Sequence, residues 1–113
     1  MTPMVDVQVA GTRKRIRIRA ILDTGFEGQV CLPIELAVPL GLELSGRMQY
    51  QLADGSLKRD LLFKGNAFFL GKKRRAVISL TEGDALVGTE LLSDCRLLID
   101  FPKVKVRLAR SKK

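Results

Sequence analysis

The chain has 113 residues, 46% hydrophobic and 28% charged, with a net charge of +8, figures that fit one small soluble domain built on a single core. No apolar run reaches the roughly 18 residues of a membrane span. The opening Met1-Thr2-Pro3-Met4-Val5-Asp6 lacks the basic segment and apolar stretch of a secretory signal, so a cytoplasmic location is expected. Histidine is absent, which removes Ser-His and Cys-His nucleophile pairs and histidine metal sites and leaves carboxylates as the natural acid-base groups.

Cys31 and Cys95 stand far apart without C-x-x-C spacing and read as core thiols in a reducing compartment, neither a disulfide framework nor a zinc site. Fifteen of the twenty cations fall in three segments, residues 13–19, 72–75 and 103–113. Such patches either solvate a face or attract an anionic partner.

In chain order, Val5, Val7 and Val9 alternate with Asp6, Gln8 and Ala10, the period-two pattern of a half-buried strand. After a Gly11-Thr12 turn, Arg13, Arg15, Arg17 and Arg19 take one face of a second strand and Ile16, Ile18, Ala20 and Leu22 the other. Residues 20–22 are apolar throughout, as where a strand enters the interior, and Asp23 follows directly. A short apolar segment covers residues 29–32, and residues 33–38 can form one helical turn stopped by Pro39 and Gly41. Residues 48–63 predict a hairpin around Asp54-Gly55, a dipeptide suited to positive backbone angles. Two further strands, 67–70 and 76–80, flank a basic loop at 71–75. The apolar strand Ala85-Leu86-Val87-Gly88 precedes a short helix over residues 89–93, with Thr89 as its N-cap and Glu90 in its first turn. Strands at 97–101 and 104–108 follow, and residues 110–113 should fray. Many short strands and one convincing helix predict an all-β domain, barrel or sandwich.

Asp23-Thr24-Gly25 places a carboxylate at the end of a buried strand, followed by a hydroxyl and by a residue that allows close backbone approach. The triplet is short and turn-like, and its setting is more specific. Hairpin strands lead into Ile21-Leu22-Asp23-Thr24-Gly25, an Asp54-Gly55 hairpin lies mid-chain, and Ala85-Leu86-Val87-Gly88 precedes Thr89-Glu90-Leu91-Leu92 and Leu97-Leu98-Ile99-Asp100-Phe101. In order and spacing this resembles the retropepsins, the single-domain aspartic proteases of retroviruses, and in particular their microbial relatives. The resemblance covers residues 5 to about 101 of a single 1–113 domain, with a basic strand or tail at 102–113.

The resemblance implies a closed or partly open β-barrel of the acid protease type with one short C-terminal helix. It makes Asp23 the catalytic carboxylate, Thr24 the hydroxyl that locks two catalytic loops together, and Gly25 part of the substrate-facing loop. The hairpin Leu52, Ala53, Asp54, Gly55, Ser56 and Leu57 becomes a substrate-binding flap, and Leu86, Val87 and Gly88 support the catalytic loop. Phe26-Glu27-Gly28 departs from the viral pattern, and Glu27 becomes a candidate for shaping specificity. The chain holds one D-T-G, whereas the mechanism uses two carboxylates, so a homodimer acting on a peptide or protein substrate is expected. It would act without metal or cofactor and away from membranes. The alternatives are a non-proteolytic binding module whose basic faces take an anionic partner such as nucleic acid, and a domain that dimerises for regulation only. An aromatic content of 5% without tryptophan weighs against stacking of single strands.

Overall fold

A computed structural model describes residues 2–111 as a mainly β domain. Its strands are β1 (Met4–Ala10), β2 (Arg15–Leu22), β3 (Val30–Pro33), β4 (Glu43–Gln51), β5 (Leu57–Phe69), β6 (Lys72–Thr81), β7 (Leu86–Val87), β8 (Cys95–Asp100) and β9 (Lys105–Arg110). Helical structure is confined, among the described residues, to α1 (Ile34–Ala37) and the 3-10 turn Val38–Leu40. That turn accommodates Pro39 and ends at Gly41, whose φ of 73° is the left-handed conformation that glycine adopts without strain.

Seven strands form one sheet in the order β1-β2-β7-β3-β6-β5-β4, and β1 pairs again with the end of β5, so the sheet curls back on itself. Its inner face supplies the core. Val7, Val9, Val30, Leu32, Leu40, Ile78 and Val87 are fully buried, each contributing about 1.5–3 kcal/mol by leaving water. The alternation read in the first two strands is the alternation observed, with Val7, Val9 and Ala20 inside and Arg15, Arg17 and Arg19 exposed.

Residues 71–75, expected as a loop, are largely strand. The chain turns in two residues, Leu70 and Gly71, both at positive φ (50° and 71°), and Phe69 and Lys72 already pair across the turn. Primed turns of this kind match the twist of the flanking strands. The run Lys72-Lys73-Arg74-Arg75 conceals an alternation: Lys73 and Arg75 face solvent, while Arg74 turns inward over the Phe69 ring and pairs with Asp94 at 2.6 Å. Likewise 67–70 is no separate strand, because β5 runs unbroken to Phe69.

The helix expected at 89–93 does not form. Successive turns occupy residues 89–94: the Thr89 hydroxyl that would cap the helix donates to the Phe26 carbonyl instead, and only i to i+3 bonds follow at Leu92, Ser93 and Cys95. Beyond it, β8 and β9 form a separate two-stranded sheet. Val104 lies in its connecting turn at φ 51° and is not part of a strand. Arg110 pairs with Cys95, and the Ser111 N–H donates to the Asp94 carbonyl, so the expected fraying does not begin there. Lys112 and Lys113 lie outside the described residues.

The Arg74 guanidinium holds the Asp94 carboxyl below its ordinary value. For a carboxyl depressed in the folded state, the stabilisation is complete above the ordinary carboxylate range and disappears as pH falls through the folded-state value. Asp94→Asn is therefore expected to lower the melting temperature at neutral pH, with the two melting curves converging on acidification. A difference that persists unchanged at low pH would contradict this role.

Candidate active site

Asp23 follows the last residue of β2 and is half-buried. Its backbone N–H donates to the Val87 carbonyl (3.0 Å), while its side-chain Oδ1 accepts the Gly25 N–H at 2.9 Å. The carboxylate is thus anchored by the turn that follows it, and Phe26 N–H closes that turn onto the Asp23 carbonyl (3.1 Å). Thr24 and Gly25 are exposed.

β7 holds this loop from behind. It lies between β2, which it pairs in parallel through Ile21–Leu86 and Leu22–Val87, and β3, which it pairs antiparallel through Val30–Val87 and Cys31–Leu86. Leu86, Val87 and Gly88 therefore stand beside the Asp23 loop, and the clamp continues past the strand. The Gly88 N–H donates to the Gln29 carbonyl, Thr89 N–H to Phe26, and Glu90 N–H to Gly28. A methyl group at Gly88 would lie 2.3 Å from the Gly28 oxygen and 2.5 Å from the Phe26 oxygen, so only glycine admits this approach.

Gln29 was not singled out in the sequence, yet it joins three segments. Its side-chain oxygen accepts the Val77 N–H (2.7 Å) on β6, and its amide nitrogen donates to Glu90 Oε1 (3.0 Å). Glu90 is thereby an acceptor for the loop and not a helix first-turn charge.

The β4-β5 hairpin ends in the loop 52–56. The Gly55 N–H donates to the Leu52 carbonyl (2.9 Å) and the Leu52 N–H to the Ser56 carbonyl (2.8 Å). Gly55 alone takes positive φ, 87°, so the tip is a turn with a bulge and not the two-residue turn with positive angles at both Asp54 and Gly55. Asp54 Oδ1 accepts both the hydroxyl and the backbone N–H of Ser56, bonds that hold the Asp54 carboxyl below its ordinary value. Leu52 and Leu57 are 42% and 62% exposed, so they are not consumed by packing within the hairpin. Ala53 is exposed as well.

A cavity of about 710 Å³ lies between the Asp23 loop and the hairpin stalk, lined by Gly25, Phe26 and Glu27 from the loop and by Met48, Asp60 and Leu62 from the stalk. Gln29, Val77, Ser79 and Glu90 also line it. The structure thus brings Gly25 and the stalk together, whereas Asp23, Thr24 and the hairpin tip 52–57 do not line this cavity. The stalk residues were missed because their facing depends on strand register, which a bulge between Leu44 and Gly46 shifts.

The fold is the one adopted by retroviral proteases. It is similar to the solution structure of Simian Foamy Virus (mac) protease, with a TM-score of 0.61 and 15% identity over 80% of this chain and 92% of that one. It is equally similar to EIAV protease complexed with the inhibitor HBY-793, with a TM-score of 0.61 and 14% identity over 83% of this chain and 88% of the other. No family model matches the chain, and no curated protein does.

Proposed function

We propose that the chain is one half of an aspartic endopeptidase of the microbial retropepsin type, in which two copies each contribute Asp23 to a single site. The observation that carries this reading is the anchored Asp23 loop, held by its own Gly25 N–H and clamped from behind by residues 87–90, within a fold of retroviral-protease type. One chain supplies one such carboxylate, and peptide hydrolysis through activated water uses two.

Two carboxylates roughly 3 Å apart do not both stay ionised near neutral pH, so the pair shares one proton and titrates as a unit. The ionised member takes a proton from water, which attacks the scissile carbonyl, while the protonated member donates to the carbonyl oxygen. The tetrahedral intermediate then collapses as the leaving amine is protonated. In this reading the exposed Thr24 hydroxyl of each copy bonds to the other copy's loop. The hairpin closes over an extended peptide, with Leu52 and Leu57 offering apolar contacts.

The test is cleavage of a mixed peptide library across acidic and neutral pH. The expected result is endoproteolytic products that disappear with pepstatin. An intact dimer that yields no pepstatin-sensitive product at any pH would favour a regulatory or binding role for the fold.

A further inference from the structure

The outer faces of β2, β1, β5 and β6 carry an ordered basic surface that the proposed chemistry does not use. Register aligns Arg17, Gln8, Phe68 and Lys73 in one row across the four strands, and Arg15, Ala10, Asn66 and Arg75 in the next. The Arg15 guanidinium lies over the Phe68 ring, 3.8 Å from its centre, and donates to the Gln8 side chain. Among the described residues, Arg15, Arg17, Lys73 and Arg75 have no ion-pair partner. The carboxylates along this face are Asp6, registered opposite Arg19, and Glu43 at its margin.

This surface is continuous with the cavity beside Asp23. Along the exposed face of β6, Lys73 lines one hollow of about 560 Å³, Arg75 and Val77 a second of about 600 Å³, and Val77 and Ser79 the cavity beside the Asp23 loop. Gln29 also lines both of the last two. Same-face residues on a strand recur about every 6.8 Å, so Lys73 stands roughly 20 Å from Ser79. Charge changes sign along this path. The cavity beside Asp23 is lined by Glu27, Asp60 and Glu90 without a cation, while the far end presents Arg15, Arg17, Lys72 and Lys73 beside one carboxylate, Asp6.

We propose that this strip is a docking track for an acidic, extended segment of the substrate, which leaves the cavity beside Asp23 and runs along β6 to the basic rows. The proposal rests on that cavity holding a peptide. An extended peptide repeats its same-face side chains at the spacing of the strand beneath it, so alternate acidic residues meet Arg75, Lys73 and their row partners in register. At about 3.4 Å per residue, the acidic positions opposite Arg75 and Lys73 fall roughly two and four residues beyond Val77 at the cavity edge. The carboxylates of the cavity repel the same segment from the near end and so fix its placement. A nucleic acid strand fits less well, because Phe68 is the aromatic in the centre of these rows and Arg15 already covers its face.

The probe is a fluorescent peptide in which Glu alternates with Thr, titrated onto the Asp23→Asn chain, which makes the readout independent of cleavage. Lys73→Glu combined with Arg75→Glu is expected to weaken binding about tenfold, whereas Lys105→Glu combined with Arg107→Glu on β9, the same change in net charge elsewhere, changes it by about twofold or less. The pair Lys73→Gln with Arg75→Gln gives a smaller loss in the same direction and serves if the reversal does not fold. A loss no greater than that from the Lys105→Glu, Arg107→Glu pair overturns the proposal, as does tighter binding of a single-stranded RNA oligonucleotide with the same sensitivity to the reversals at Lys73 and Arg75. With the unmodified chain, faster cleavage of peptides bearing the acidic tail than of Lys-tailed ones supports it. Cleavage without tail preference removes the docking track and leaves the protease reading intact. Charge-sensitive binding without cleavage of any peptide removes the protease reading and leaves the track.

Discussion

Asp23→Asn, which in a homodimer replaces both carboxylates of the pair, is expected to lower peptide cleavage by roughly 10^4-fold or more, at least the scale of loss when a member of a catalytic unit is removed, while the melting temperature stays within a few degrees. The separation of the two effects follows from the local bonding. The Asp23 oxygen accepts the Gly25 N–H, and its backbone N–H binds the Val87 carbonyl. An asparagine oxygen accepts the first bond equally well, and the second is untouched. What the amide cannot do is act as a general base toward the attacking water or as a general acid toward the carbonyl oxygen. Steady-state cleavage of a fluorogenic peptide beside a thermal melt measures both quantities. Retention of full activity would remove Asp23 from the chemistry.

Gly88→Ala acts on the same loop from the opposite direction and is expected to cost about 3 kcal/mol of stability, the upper end of overpacking penalties. For a domain of this size that corresponds to a fall of roughly 10–20 °C in melting temperature. The added methyl would meet the Gly28 and Phe26 carbonyl oxygens, which are backbone atoms of the Asp23 loop and have no rotamer to yield. Relief therefore requires the loop to move, so cleavage falls with stability. Gly46 is the matched control: a methyl group there meets nothing within 4 Å, so Gly46→Ala changes stability by only about 0.5 kcal/mol. Denaturant titration of both variants checks the comparison. Equal effects at the two glycines would show that the close approach at Gly88 does not hold the loop.

The parts of this arrangement that were legible in the sequence are those whose signal is local. Alternation in β1 and β2 put Val7, Val9 and Ala20 inside and the arginines outside, because one apolar and one charged face give a period of two without ambiguity. The apolar run ending at Gly88 likewise announced a buried strand. β6 was obscured at its start, since Lys72-Lys73-Arg74-Arg75 is polar on both faces, and the inward Arg74 pairs with Asp94, twenty residues away. At 89–93 the local cap signal of Thr89 lost to a tertiary hydrogen bond, with its hydroxyl donating to the Phe26 carbonyl of the Asp23 loop instead of capping a helix. The triplet Asp23-Thr24-Gly25 was visible, but Gln29 and the stalk residues Met48, Asp60 and Leu62 were not, because their place depends on which strands become neighbours.

The most direct test of two copies forming one site is an experimental structure of the dimer. The two Asp23 carboxylates are expected to lie nearly coplanar, roughly 3 Å apart, with a water bound between them. Carboxylates many ångströms apart in every assembly of the chain would contradict a shared site.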